Sequence, residues 1–417
     1  MAKRLPDHTP AFVAPADIHM GLDIARSLGR RGIPVRGVDA DRATATRSSR
    51  YLSVGRAPDP HHDPDGFVDE LERIGRRADR RAVLYALSDD AVLAVSRHRD
   101  RLLPWYAFVM PEHAIVERLL SKDGLAEVAR SVGIASPITI VPRNVADVRA
   151  AADEMRFPVI LKPTHSSFWQ AKHISERLRT GLLDARAKVI VCEDAESLIR
   201  RYEAIAEIDD RLVIQEVIPG PDDRLVYFAS YTDRSGAILG QLAGRKLRVL
   251  PTGFGSASFV RSIDDPTLTE QASSLIVASG YAGLGGIEFK EDPRDGRYRL
   301  VEFNVRFGMW DGLGTRCGVD LPYIAYRDAL DLAPLPTEPY RRGVIWVDLQ
   351  RDGRAFLSYR RAGTLTLRGW LASMRGERMV ATFARDDPLP AIISLATLAV
   401  VRLRTWLHRF RAGRLAS

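Results

Sequence analysis

The chain has 417 residues, 46% of them hydrophobic and 27% charged, with a formal net charge of +8 at pH 7; that is too long for one core and predicts two or three globular domains. Its two cysteines, Cys192 and Cys317, exclude a disulfide framework and a thiolate metal cluster and fit a reducing cytoplasm. The amino terminus lacks a signal-peptide core, no run reaches the roughly 18 apolar residues that cross a bilayer, and the arginine excess is scattered, so no nucleic-acid partner is expected.

Residues 10–15, PAFVAP, read as a short apolar strand. Ile18, Leu22, Ala25 and Leu28 follow at helical spacing, Gly32 closes that helix, and IPVRGVD supplies a second strand. A strand–helix–strand opening predicts parallel α/β layers. The first turn, ADIHMG, holds Gly21 but no GxGxxG, so it is a weak dinucleotide signal. A helix pattern from Phe67 to Ile74 precedes the strand AVLYALSDD. Its Ser88, Asp89 and Asp90 stand where ligands collect beyond parallel strands, and also where helices are capped. This domain is expected to span residues 1–118.

Ser121 reads as the N-cap of a helix, DGLAEVARSV, that ends at Gly133 before Pro137. Lys122 lies at the positive end of that helix dipole, which suits a lysine that meets an anion or one whose stem extends into water. FPVILKP is a strand that delivers Lys162 to the start of the polar loop THSSFWQAKH. There the ammonium either binds phosphate or snorkels at the surface. A charged helix from Ala195 to Ile208 follows. Two strands, LVIQEVI and RLVYFASY, then flank the turn PGPDD, which places Asp222 as a ribose ligand or a plain turn former. The strand ILGQLAGRKLRVLP carries Arg245, Lys246 and Arg248; alternation puts 246 and 248 on one face and 245 on the other. A helix over Pro266–Ser279 comes next.

The segment from Gly285 to Gly308, GGIEFKEDPRDGRYRLVEFNVRFG, reads as a β-hairpin turning near Asp295. That register sets Glu288 opposite Glu302, with Asn304 on the same face and Ile287, Phe289, Val301 and Phe303 on the other. Two carboxylates roughly 4.5–5.5 Å apart repel unless a cation joins them. Hard oxygen donors on a rigid hairpin suit Mg²⁺ shared with substrate phosphates; the plain alternative is a solvated acidic face. Arg306 follows two residues later, placed to neutralise a transferring phosphoryl group. After Leu335 the pattern turns to short β or mixed elements. The chain then has an uncharged stretch, Pro388–Val401, that joins a basic segment with Trp406 and Phe410. That tail fits either a helix on an anionic membrane surface or one packed on the chain's own body.

The ordered series Lys122, Lys162, QEVIPGPD, GRK, GIEF and EFNVRFG resembles the ATP-grasp superfamily. Within it, the chain is similar to the bacterial ATP-dependent carboxylate–amine ligases related to D-aspartate ligase, over residues 10 to about 330. The resemblance implies an α/β plus α+β architecture: an N-terminal parallel pre-ATP-grasp domain, an ATP-grasp domain over 119–335 with lobes at about 119–210 and 211–335, and a 336–417 extension. It implies ATP as cosubstrate, with Lys122, Lys162, Ser166 and Ser167 at the phosphates. Gln215, Glu216, Val217 and Ile218 would surround adenine, Glu216 and Ile218 through backbone, and Asp222 would bind ribose. Glu288, Glu302 and Asn304 would hold two Mg²⁺, Mn²⁺ being an alternative, while Arg306, Arg245 and Lys246 would act on the transferring group or acyl-phosphate. The loop after Lys162 departs from the family by lacking an early glycine. The implied reaction is phosphorylation of a carboxylate followed by amine attack, with small-molecule substrates and a cytoplasmic location, peripheral to the inner membrane face if the tail docks there. Carboxylase-like or kinase-like transfer and a non-catalytic nucleotide-binding scaffold are the competing readings. The oligomeric state is not legible in the sequence.

Overall fold

In the computed structural model, which describes residues 9–16, 19–40, 45–164, 189–336 and 338–400, the apolar run Ala11–Ala14 is a wholly buried strand, β1. The helix that follows, α1 (Met20–Gly29), buries Leu22, Ile24, Ala25 and Leu28; Ile18 lies outside the described residues. With β2 (Val35–Asp39), β3 (Leu52–Arg56), α2 (Pro64–Arg77), β4 (Ala82–Ala86), α3 (Asp89–Arg97) and β5 (Tyr106–Ala107) it builds the expected parallel layer. The strand order is β3-β2-β1-β4-β5, every pair parallel. Ser88 caps α3 by accepting from the Ala91 N–H, so the polar end of β4 serves the helix.

Residues 109–379 form a second compact unit, and the chain from 380 onward belongs with the first. The second unit opens with α4 (His113–Leu120) and α5 (Lys122–Ser131). The elements β6 (Thr139–Ile140), α6 (Val145–Glu154), β7 (Val159–Pro163), β8 (Ile190–Cys192), α7 (Ala195–Ala206) and β9 (Leu212–Glu216) follow. These strands make an antiparallel sheet ordered β6-β9-β7-β8. Val148, Ala151, Leu198, Tyr202 and Ile205 of its two helices pack on Val159, Leu161, Leu212 and Ile214. A seven-stranded sheet follows from β10 (Leu225–Thr232), β11 (Ile238–Leu250), β12 (Ser256–Ile263), β13 (Gly283–Glu291), β14 (Tyr298–Asn304), β15 (Ile345–Val347) and β16 (Arg378–Val380), ordered β14-β13-β10-β11-β12-β15-β16. The helix α8 (Pro266–Ser279) has the expected bounds, fixed by the Asp265 cap and by Gly280 in the left-handed region.

This division differs from the expected breaks at 118 and 335. The helix α4 packs on α5 and β14, β9 is an interior strand of the first lobe's sheet, and β15 pairs with β12, which draws residues 336–379 into the second unit. The tail is also more helical than its pattern suggested: α9 (Leu349–Arg361) and α10 (Leu367–Ser373) lie between β15 and β16 in the chain. Asp348 starts α9 by accepting from Gln350 and Arg351 N–H, and Asp352, Ala355 and Phe356 are its buried residues.

The hairpin has the predicted pairing of Glu288 with Glu302, but a bulge at Val301 pairs Phe289 with Leu300. The extra residue shifts the alternation. Leu300, not Val301, therefore joins Ile287, Phe289 and Phe303 in the core.

A long-range polar anchor of the seven-stranded sheet is Arg248, whose guanidinium gives Asp352 two hydrogen bonds of 2.7 and 2.9 Å. Ser258 Oγ and Trp370 Nε1 also donate to that carboxylate. Both ionic side chains are buried. Asp352→Ala strands the buried guanidinium and is expected to cost about 3–5 kcal/mol. A denaturant midpoint equal to that of the parent would contradict this.

Candidate functional site

Four strands build one polar face. Across β13 and β14, Glu288 stands opposite Glu302 and Gly286 opposite Asn304. On the far side of β13, Tyr227 of β10 pairs with Glu288, and Gly244 of β11 pairs with Tyr227. The cation demanded by the two facing carboxylates is present: Lys246 Nζ donates a short hydrogen bond to Glu288 and lies 5.9 Å from the centre of the Tyr227 ring. Lys246 and Glu288 keep only 8% and 13% of their side-chain exposure, so water screens this pair weakly.

Two glycines make room on this face. A Cβ on Gly286 would lie 1.7 Å from the Tyr227 hydroxyl, and one on Gly308 would lie 2.6 Å from that hydroxyl and 2.7 and 2.9 Å from the Asp311 carboxylate. Tyr227 and Asp311 thus converge over Gly308, with the Trp310 ring 4.9 Å from that of Tyr227. The Gly308 N–H donates to Asp311 Oδ2 at 2.6 Å, while Asp311 Oδ1 and the Tyr227 hydroxyl have no partner among the described residues. Burial pushes the Asp311 carboxyl up to about 7, against the lowering pull of the Gly308 N–H, Arg306 and Lys246. Tyr227 is driven well above its ordinary value by burial, and nearby Asp311 adds to the effect. Sequence reasoning missed Tyr227, Trp310 and Asp311; the available signal was an acid set in the glycine-bounded stretch GMWDG.

The four-stranded sheet contributes Lys162, and the start of α5 contributes Lys122. Lys162 donates to Gln215 Oε1 at 2.6 Å, and Gln215 Nε2 donates to Thr139 Oγ1 at 2.8 Å. Desolvation and the Lys122 charge pull the Lys162 ammonium down to about 7, opposed by Glu302. Lys122, Lys162 and Glu302 therefore share one electrostatic neighbourhood. Two lysines that destabilise each other's charge favour an anion between them.

Other expected residues are placed differently. Arg245 points away from Lys246: it donates to the Asp223 carbonyl at 3.0 Å and lies 3.6 Å from Glu291. Arg248 goes to Asp352, beyond a bulge that breaks the alternation after Lys246. Strand β9 is interior, so Glu216 and Ile218 are not on an exposed sheet edge. The Glu216 N–H already donates to the Ile138 carbonyl, its carboxylate receives Arg294, and the Ile218 carbonyl accepts from Lys290. Val217 is half-buried beside them. Asp222 is buried and its Oδ2 accepts from the Gly253 N–H and the Tyr359 hydroxyl, which makes it a turn anchor first. Ser166 and Ser167 lie outside the described residues, as do Trp406 and Phe410.

Among the described residues no group of three or more His, Cys, Asp or Glu is gathered as a metal site. Two carboxylates and the Asn304 amide on one face are nonetheless hard oxygen donors, suited to a Mg²⁺ that completes its shell with phosphate and water.

No protein-family model matches the chain. It is 23% identical over 337 residues to the D-aspartate ligase of Enterococcus faecium (strain Aus0004), covering 77% of each chain. Over 206 residues it is 30% identical to the D-alanine–D-alanine ligase of Pseudomonas fluorescens (strain Pf0-1), covering 47% of this chain and 57% of that one. Among solved structures, the biotin carboxylase domain of the Hydrogenobacter thermophilus 2-oxoglutarate carboxylase, in complex with MgADP, ADP and bicarbonate, matches with a TM-score of 0.59 at 17% identity. That match covers 81% of this chain and 73% of that one.

The split between Arg245 and Lys246 is directly testable. Lys246→Ala is expected to slow phosphate release from ATP about 100-fold, as loss of a transition-state cation does, whereas Arg245→Ala leaves it nearly unchanged. Equal losses in both variants would refute the placement.

Proposed function

We infer that this chain, which has the ATP-grasp fold, is an ATP-dependent carboxylate–amine ligase that forms an amide through an acyl-phosphate and releases ADP and phosphate. The observation that carries this reading is the Glu288–Glu302 pair, neutralised by Lys246 and facing the Lys122–Lys162 neighbourhood. A triphosphate needs such a surface: cations for its oxygens, and carboxylates to share a divalent ion with it.

Lys122 and Lys162 would hold the phosphates, and Gln215 would fix the Lys162 ammonium in place. Because the Glu216 N–H and the Ile218 carbonyl are engaged within the protein, adenine would be read by the opposite pair, the Glu216 carbonyl and the Ile218 N–H. Asp222, tied to Gly253 and Tyr359, would shape the ribose end. Glu288, Glu302 and Asn304 would hold Mg²⁺, in a two-ion arrangement that Mn²⁺ can also fill. The metal, when bound, supplies charge neutralisation to the transferring γ-phosphoryl group.

A carboxylate oxygen of the first substrate attacks that phosphorus and ADP leaves. The amine nitrogen of the second then attacks the acyl carbon, phosphate leaves, and the amine sheds a proton. Lys246 and Arg306 would neutralise the charge that builds on the acyl-phosphate, and Asp311 behind them would set the field they experience. Positioning and charge account for most of the rate in such transfers. Carboxylase-like transfer is the second reading, favoured by the likeness to a biotin carboxylase domain, which at 17% identity bears on the fold alone. A coupled ADP-release screen of carboxylate and amine pairs, with mass spectrometry of the product, separates the two. Amide product supports the ligase; bicarbonate-dependent turnover without amine supports the carboxylase.

Two further outcomes are expected. Glu302→Gln should lower turnover by at least about 100-fold with an unchanged circular dichroism spectrum, since a metal-bridging oxygen is lost; undiminished turnover would remove Glu302 from the metal site. In the free protein Lys162, held near pKa 7, is mostly neutral at pH 8. A bound triphosphate raises its pKa, so ATP binding at pH 8 should take up close to one proton. Calorimetry in buffers of different ionisation enthalpy reads this uptake. Lys162→Met should abolish it, and an ATP-binding enthalpy independent of buffer in the parent protein would rule out this role.

A further inference from the structure

The segment after residue 380 is fastened to the first unit and then leaves it. Asp387, 2% exposed, accepts from Arg26 Nε at 3.0 Å, Ser49 Oγ at 2.8 Å and the Arg50 N–H at 2.9 Å. Arg26 also donates to the carbonyls of Asp387 and Thr382. Next to it, Asp386 receives two bonds from Arg30 and one from the Tyr51 hydroxyl. The Arg26–Asp387 pair is buried and the Arg30–Asp386 pair exposed, and together these charge-assisted bonds form a clasp that holds the segment on the first unit.

The clasp carries a helix over residues 389–400, LPAIISLATLAV, with no charged residue between Pro388 and Val401. Pro390 and Ala391 alone are buried in it. Leu389, Ile392, Leu395 and Val400 are 53%, 54%, 56% and 48% exposed, and at 3.6 residues per turn they fall on one side of the helix, away from Pro390 and Ala391. A water-soluble helix turns its apolar stripe to its core and polar residues to solvent, whereas the outward side of this one is apolar and calls for cover. The uncharged stretch is too short to cross a hydrocarbon core about 30 Å thick, which requires roughly 20 residues.

The sequence that continues from it carries Arg402, Arg404, Arg409, Arg411 and Arg414, with Trp406 and Phe410, and there is no acid from Pro388 to the end. Those five arginines carry five of the chain's net +8, so although arginine is scattered along the whole chain the net excess is concentrated beside this helix. Arginine beside tryptophan at the end of an apolar helix matches an anionic lipid interface.

We propose that the 389–400 helix docks the protein on an anionic lipid surface by inserting its apolar side chains among the acyl chains. The clasp at Asp387 and Asp386 sets the height of the first unit above that surface. This proposal is independent of the ligase reading.

The test is co-sedimentation of the full chain with phosphatidylcholine vesicles and with vesicles that also contain phosphatidylglycerol. Binding to the anionic vesicles, weakened by salt, is expected. Ile392→Asp combined with Leu395→Asp, both exposed positions that leave every arginine in place, should lower partitioning by at least about tenfold while ATP turnover stays at the parent level. Absence of binding by the parent protein overturns the proposal, as does equal binding by the double variant. A concentration-dependent dimer that the same substitutions dissociate, with no vesicle binding, would assign the helix to a second copy of the chain instead.

Discussion

Two like charges set face to face organise the second unit. Glu288 and Glu302 stand directly opposite each other on neighbouring strands, where like charges repel. A hairpin does not accept that strain without a return. The seven-stranded sheet offsets it by bringing Lys246 across from β11, over the ring of Tyr227, onto the Glu288 carboxylate. That reach requires β10 to present a flat side chain between β13 and β11, and it requires glycine at 286 so that the Tyr227 hydroxyl can lie over the backbone. One electrostatic constraint thus accounts for the identities of residues on four strands.

The same constraint explains which parts of the site were legible in the sequence. Strand alternation and a turn near Asp295 suffice to pair Glu288 with Glu302, and helix caps such as Ser121 and Asp265 mark their helices. Lys246 and Arg245 were separated correctly as to face, but their roles were not, because the partners that decide them come from distant strands and turns. Lys246 meets Glu288, 42 residues on, and Arg245 meets the Asp223 carbonyl. The bulge at Val301 left no mark in composition, since valine and leucine are equally apolar and the shift appears only against β13. The tail read as mixed because its helix α9 buries an aspartate: Asp352 looks like surface until Arg248, Ser258 and Trp370 are seen to satisfy it.

Glu216 and Asp222, proposed above for the nucleotide, belong to the frame of the fold as well. The Glu216 carboxylate takes Arg294 at 2.6 Å, and Arg294 in turn grips Asp292 in the hairpin turn. Lys290 of β13 donates to the carbonyls of Ile218 and Gly220. The end of β9 is therefore tied to the hairpin by a run of charge-assisted hydrogen bonds, which are shorter and stronger than neutral ones. The strand that would read the base and the strands that would hold the metal are parts of one connected network, in which the Asp292 carboxyl is held well below its ordinary range chiefly by Arg294.

Lys162 completes the logic from the other sheet. A lysine that loses its charge near neutrality is costly where it stands, and the cost comes from burial and from Lys122, with Glu302 giving partial relief. The two lysines stand near each other and the two glutamates stand face to face, and each pair has one partner of its own, Gln215 for Lys162 and Lys246 for Glu288. A ligand that carries several negative charges together with a divalent cation relieves both imbalances at once. We propose that affinity for such a ligand rests on this gathering of like charges.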